Sequence, residues 1–145
     1  MATKLTIINT SSKKINKRGV RELVKKLSEH FSFSVFSLEI YFVSSSDISE
    51  INKNYLNHEG TTDVITFDYS EVKQRIDSEI YISVQDAEEN AKIYNVSLEL
   101  ELKRLIIHGV LHILGYDDKD SSKKLIMKSI EDELTNNIIL EKNII

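Results

Sequence analysis

Ten consecutive residues, Leu105 to Leu114, hold nothing polar but two histidines. A helix that is apolar nearly all round belongs inside a domain, walled by other elements. The run is too short to cross a bilayer, so burial in protein is what it must find. Over residues 97–114 the pattern predicts the most regular helix of the chain.

The two imidazoles, His108 and His112, stand four residues apart. Residues at that spacing share one helix face, with Cβ atoms about 5–6 Å apart. Both rings can then reach one ion at roughly 2.0–2.1 Å. Gly115 follows where such a helix would stop, and glycine turns a chain sharply at little cost. Asp118 comes three residues later and can return as a third ligand. A water in the fourth position would make the site an open, catalytic one. The competing reading is a hydrogen-bonded pair of core histidines. Two adjacent buried imidazoles need compensation, and a shared divalent cation, with zinc the first candidate, supplies it. Asp117 is the rival third ligand.

The pattern His-x-x-x-His-x-x-Gly-x-x-Asp echoes the metzincin peptidases. Those enzymes carry a Glu after the first His as general base. Here that position is Gly109, which argues against protein cleavage.

The rest of the chain bounds the setting. Its 145 residues suit one domain, 1–145, and 41% apolar with 29% charged residues reads as globular. Cysteine is absent, so a metal must use imidazole and carboxylate. Proline is absent too, leaving turns to Gly, Asn, Asp and Ser. No transmembrane run is present, and Met1-Ala2-Thr3-Lys4 leads straight into an alternating segment without an apolar signal core. A cytoplasmic location and no membrane partner are expected. A net charge of −4 argues against coating nucleic acid by bulk electrostatics, although a local basic patch would suffice for RNA. Candidates are Lys13, Lys14, Lys17 and Arg18, then Lys103 and Arg104, then Lys119, Lys123 and Lys124, each of which also reads as a solvated face.

Strands are expected over 3–9, over 37–43, around Val64 to Tyr69 and around Ile80 to Val84. Helices are expected over 17–30, from an Asp47/Glu50 capping box to Leu56, over 85–94, over 97–114 and over 121–139. In the last of these, Leu125, Ile126, Ile130 and Leu134 would face the core. The order β-α-β-α-β-β-α-α-α implies about four strands with helices packed on them, and two right-handed βα crossovers.

Three blocks together resemble one family. His108-Gly109-Val110-Leu111-His112-Ile113-Leu114-Gly115-Tyr116-Asp117 is similar to the signature of the YbeY family. Its members are bacterial rRNA maturation factors described as metal-dependent endoribonucleases. Residues 51–67, with Asn52, Tyr55, Thr62, Asp63, Val64 and Phe67, resemble the family's Leu-Asn-x-x-Tyr-Arg-x-x-Asp-x-Pro-Thr-Asp-Val-Leu-Ser-Phe block. Ser78-Glu79-Ile80 resembles its Gly-Asp-Ile strand. The resemblance implies an α+β fold: a mixed sheet of about four strands, about five helices, and a zinc ion on the buried central helix. It implies a single-strand endoribonuclease acting in 16S rRNA 3′-end maturation and ribosome quality control. Its partners would be rRNA or precursor rRNA, the small ribosomal subunit, a uS11-type ribosomal protein and an Era-type GTPase. The sequence departs from the family at three places. Asp118 stands for the usual third His, Leu56 for an Arg considered functional, and Thr61 for Pro. His58, near the lost Arg, is a further candidate for phosphate contact.

The chemistry expected is metal-assisted hydrolysis of an RNA phosphodiester. Thr62, Asp63 and Thr66 would line the site, or else cap the strand. Arg104, one turn before His108, would meet a phosphate. No residue stands out as general base, so a ribose hydroxyl and a water both remain open as the attacking group. Competing readings are a ribosome-assembly factor with a structural metal, and a metal hydrolase of another substrate.

Overall fold

A computed structural model describes residues 4–56 and 62–145, without the side chain of Leu56. The element order is β1 (Lys4–Asn9), α1 (Lys17–Phe31), β2 (Ser34–Val43), α2 (Ser45–Leu56), β3 (Val64–Asp68), β4 (Arg75–Ser83), α3 (Val84–Tyr94), α4 (Leu98–Ile113) and α5 (Ser121–Asn137). This is the expected α+β order, a four-stranded mixed sheet with five helices among the described residues. His58 and Thr61 fall outside them.

The sheet runs β1-β2-β4-β3. β1 and β4 both pair with β2 in parallel, while β3 pairs with β4 antiparallel. The expectation of two βα crossovers is therefore corrected. Only β1-α1-β2 joins consecutive strands that run parallel. The connection from β3 to β4, residues 69–74, is too short to carry the chain back for a parallel start. α2 opens earlier than expected, at Ser45: Ser44, rather than Asp47, caps it, its Oγ accepting the N–H of Asp47 at 3.2 Å.

Alternation decides which face is core. On β4, Ile76, Ile80 and Ile82 are fully buried, and on β2 so are Leu38, Ile40 and Phe42. These residues share one core with the inward faces of α1 and α4. α4 buries nine of its sixteen residues, as its apolar run requires. Gly109 lets it come close: a Cβ there would sit 3.1 Å from two side-chain atoms of Ile80. The position that peptidases give to a Glu is thus packed against the sheet. On the opposite sheet face, Ile48 of α2 packs with Val43 and Ile65, and Tyr41 stacks on Tyr81 with ring centres 4.5 Å apart.

α5 corrects a second expectation. Leu125 and Ile126 are exposed, and the buried positions are Met127, Glu131, Leu134 and Thr135, with Ile130 partly covered. The helix is rotated so that a carboxylate, rather than two more apolar side chains, faces α4.

Candidate active site

The inward position of Glu131 is what builds the site. Its side chain is 3% exposed, and Oε1 lies 2.6 Å from His108 Nδ1. Its other oxygen accepts from Arg104 Nη1 at 2.9 Å. Burial pushes the Glu131 carboxyl upward, but the hydrogen bonds to His108 and Arg104 outweigh it and hold the group below its ordinary value. An ionised carboxylate can only accept, so His108 carries a proton on Nδ1, and in the neutral imidazole that leaves the lone pair on Nε2.

Arg104 is itself tied down. Its Nε and Nη2 donate to the two oxygens of Glu101 at 2.9 and 2.5 Å. Its Nη2 also lies 4.0 Å from Asp63 Oδ2. The Glu101 bonds, above all, raise the guanidinium beyond its usual value against the opposing effect of burial. Asn90 of α3 closes the network, its Nδ2 donating to Asp63 at 3.1 Å and to Glu101 at 3.3 Å. A buried carboxylate is tolerated only when it is paired and hydrogen-bonded, and here each one is. Among the described residues no buried side-chain nitrogen or oxygen is left without a partner.

These groups open into a cleft of about 580 Å³ between α3, α4 and α5. Asp63, Arg104, His108 and Asp118 all line it. Thr62, Thr66 and His112 do not. Five carboxylates face three cations around the cleft, a formal −2 with His108 neutral.

The candidate ligands stand as follows. His108 side chain is 29% exposed, and His112, one turn on, is exposed. The pair is thus not the buried one that the apolar run led us to expect. α4 buries its other faces and leaves this edge open to the cleft and to solvent. The turn at Gly115 forms as expected, with φ +107°. Gly115 N–H donates to His112 O and Tyr116 N–H to Leu111 O, both at 3.1 Å, which closes the helix. Asp117 Oδ1 accepts from Lys119 N–H at 3.1 Å and braces the turn. Asp118 is exposed and reaches the cleft.

Two imidazoles and a carboxylate are a fitting donor set for zinc. A histidine ligand whose second nitrogen donates to a carboxylate is the usual outer arrangement of such a site. Among the described residues no three such side chains are gathered closely enough to hold an ion. Binding therefore calls for rotation of the exposed His112 and Asp118 side chains towards His108.

Sequence reasoning missed Glu131, Glu101 and Asn90. The signal for Glu131 was present: a charged residue set among Met127, Ile130 and Leu134 at helical spacing. Glu101, Arg104 and His108 likewise fall on one face of α4. Nothing in the sequence pairs them across helices.

The family model described as Endoribonuclease YbeY matches residues 6–139. A protein of Flavobacterium psychrophilum named Endoribonuclease YbeY is 50% identical over 97 residues, 66% of this chain and 69% of that protein. A protein of the same name from Chlorobium limicola is 37% identical over 128 residues, 88% of each chain. Among solved structures, the solution structure of TM1509 from Thermotoga maritima superposes with a TM-score of 0.63 at 28% identity, covering 90% of this chain and 88% of that one.

Proposed function

Because this chain belongs to the YbeY endoribonuclease family, we propose that it is a metal-dependent endoribonuclease that hydrolyses phosphodiester bonds in single-stranded RNA. Its substrate would be rRNA or precursor rRNA of the small subunit, in 16S 3′-end maturation and ribosome quality control. A cytoplasmic location goes with that role. Among the described residues, no helix is long and apolar enough to cross a membrane. A uS11-type ribosomal protein and an Era-type GTPase are proposed as partners.

The observation that carries this reading is the His108–Glu131 contact at the floor of an open cleft shared with Asp118. We assign His108, His112 and Asp118 as ligands of one divalent metal, zinc by the nitrogen and oxygen donor set. When bound, such an ion polarises a phosphoryl oxygen and acidifies a bound water. The protein's own groups supply position. Glu131 fixes the tautomer of His108. Arg104 holds Glu131 and, with Asp63, forms the polar wall against which substrate lies. The formal −2 of the cleft favours a dication there and opposes a bare phosphate. Any phosphate contact by Arg104 has to compete with Glu101 and Glu131.

Leu56, in place of the family's Arg, favours a second reading, an assembly factor whose metal is structural. One experiment separates the two. Metal content is measured on wild type and His112→Ala, and both are assayed on an rRNA-precursor fragment. About one metal per chain with cleavage, both lost in the variant, supports the nuclease; Asp118→Ala then tests the third ligand. Bound metal without cleavage above a mock purification gives the site to the assembly factor. A wild type that neither carries zinc nor is stabilised by it removes the metal from the site altogether.

A further inference from the structure

We propose that the apolar end of the cleft takes one unpaired nucleobase, stacked on Tyr94, beside the His108 end where the metal and the scissile phosphate would lie. The inference rests on the endoribonuclease reading and names which part of the RNA the cleft recognises. Tyr94 ends α3 and is 63% exposed, yet it lines the same cleft as His108 and Arg104. Val96, Leu100 and Met127 continue its wall, so one side is apolar and carries an open aromatic ring. The volume of about 580 Å³ falls within the size range of small-molecule sites.

Charge decides which part of a nucleotide enters. The lining is formally −2, which the dication assigned to His108, His112 and Asp118 would offset, so a phosphodiester suits that end and not the apolar end at Tyr94, Val96 and Leu100. A base is neutral. It has a π face for Tyr94 and a polar edge for Asn136, which also lines the cleft. Lys124, exposed at the same cleft, is placed to meet a phosphate at the rim. A base held in a duplex is stacked and paired and cannot enter, so the cleft selects single strands.

The chain contains no tryptophan, so Tyr94→Trp places a lone tryptophan at the platform, excited apart from the remaining tyrosines. The probe is a 2′-O-methyl oligoadenylate, which resists cleavage. It is compared with an abasic strand of equal length and with the oligoadenylate annealed to its complement. The single strand is expected to quench the fluorophore, and the other two are not. In the otherwise native protein, Tyr94→Ala should weaken oligoadenylate binding about ten-fold, the loss of one stacked base, while Tyr94→Phe binds as wild type. Equal quenching by the abasic strand, or Tyr94→Ala affinity within about two-fold of wild type, overturns the proposal. Cleavage of unmodified RNA by wild type is followed in parallel. Quenching without cleavage sinks the nuclease reading and leaves the base site standing. Cleavage with an indifferent Tyr94→Ala does the reverse.

Discussion

Glu131 lies between a histidine and an arginine, and replacing it acts on both. Glu131→Gln keeps an oxygen for the His108 Nδ1 proton but removes the charge facing Arg104. Zinc affinity should fall about 10- to 100-fold, the usual effect of losing the partner of a ligating histidine, with the fold retained. Titration with a competing chelator measures it, and an unchanged affinity would take Glu131 out of the site's working parts. Glu131→Ala leaves more undone. Breaking a buried pair costs roughly 3–5 kcal/mol, and because Arg104 keeps Glu101 the loss should fall at or below the lower end of that range. Urea unfolding of the two variants separates the effects. No local pattern foretells this pairing, since His108 and Glu131 are 23 residues apart on different helices.

At the scale of the element, α4 is held to the sheet by the absence of a side chain. Gly109 faces Ile80, and a Cβ there already crowds two of its atoms at 3.1 Å. Restoring the peptidase base with Gly109→Glu should therefore confer no peptide cleavage. It would force a carboxylate into the α4–β4 contact, and overpacking alone costs about 1–3 kcal/mol before the charge is counted. A thermal melt and a casein assay test both halves, and a well-folded Gly109→Glu protein would show that the contact is looser than its geometry. The existence and extent of α4 were legible from its apolar run, and so was the Gly115 turn, because a helix stop with positive φ is a local property. The rotation of α5 was not legible. Leu125, Ile126, Ile130 and Leu134 read as a core face; Leu134 is buried and Ile130 partly so, but Leu125 and Ile126 are exposed, and Glu131 is buried against the charge that α4 presents.

Across the whole molecule, the C-terminal segment is stitched to helices far from it in sequence. Glu22 of α1 accepts the N–H groups of Glu141 and Lys142 at 2.7 and 2.9 Å. Glu99 accepts those of Ile144 and Ile145 at 2.9 Å, and Ile144 is fully buried. The backbone bonds from Glu141 and Lys142 hold the Glu22 carboxyl below its ordinary 4.5. A carboxyl lowered in the folded state contributes stability above its unfolded value and loses it as pH falls through the folded one. The protection of the Glu141 and Lys142 amides, taken against the intrinsic exchange rate at each pH, should therefore fall below about pH 4.5, ahead of that of the core strands. Glu22→Gln should show fast exchange already at neutral pH. Gly19 gives an independent test. A Cβ there would come 2.0 Å from the backbone oxygen of Asn143, so Gly19→Ala must lift this segment off α1 and release the same two amides.

What the sequence determined alone is local. Helix and strand periods, the buried character of α4, the glycine turn after it and the family motifs all depend on residues near one another along the chain. The order of the helices and strands followed from them. What only the tertiary structure decided is what distant residues do to one another. β3 turned antiparallel because its link to β4 is short, and the strand order was fixed by pairing. His112 proved exposed because α4 keeps one edge open. Arg104, expected to await a phosphate, is held by Glu101 and Glu131 because two helices bring carboxylates to it. A buried charge must find its partner in space, and the spacing of residues along a chain does not record which partner that is.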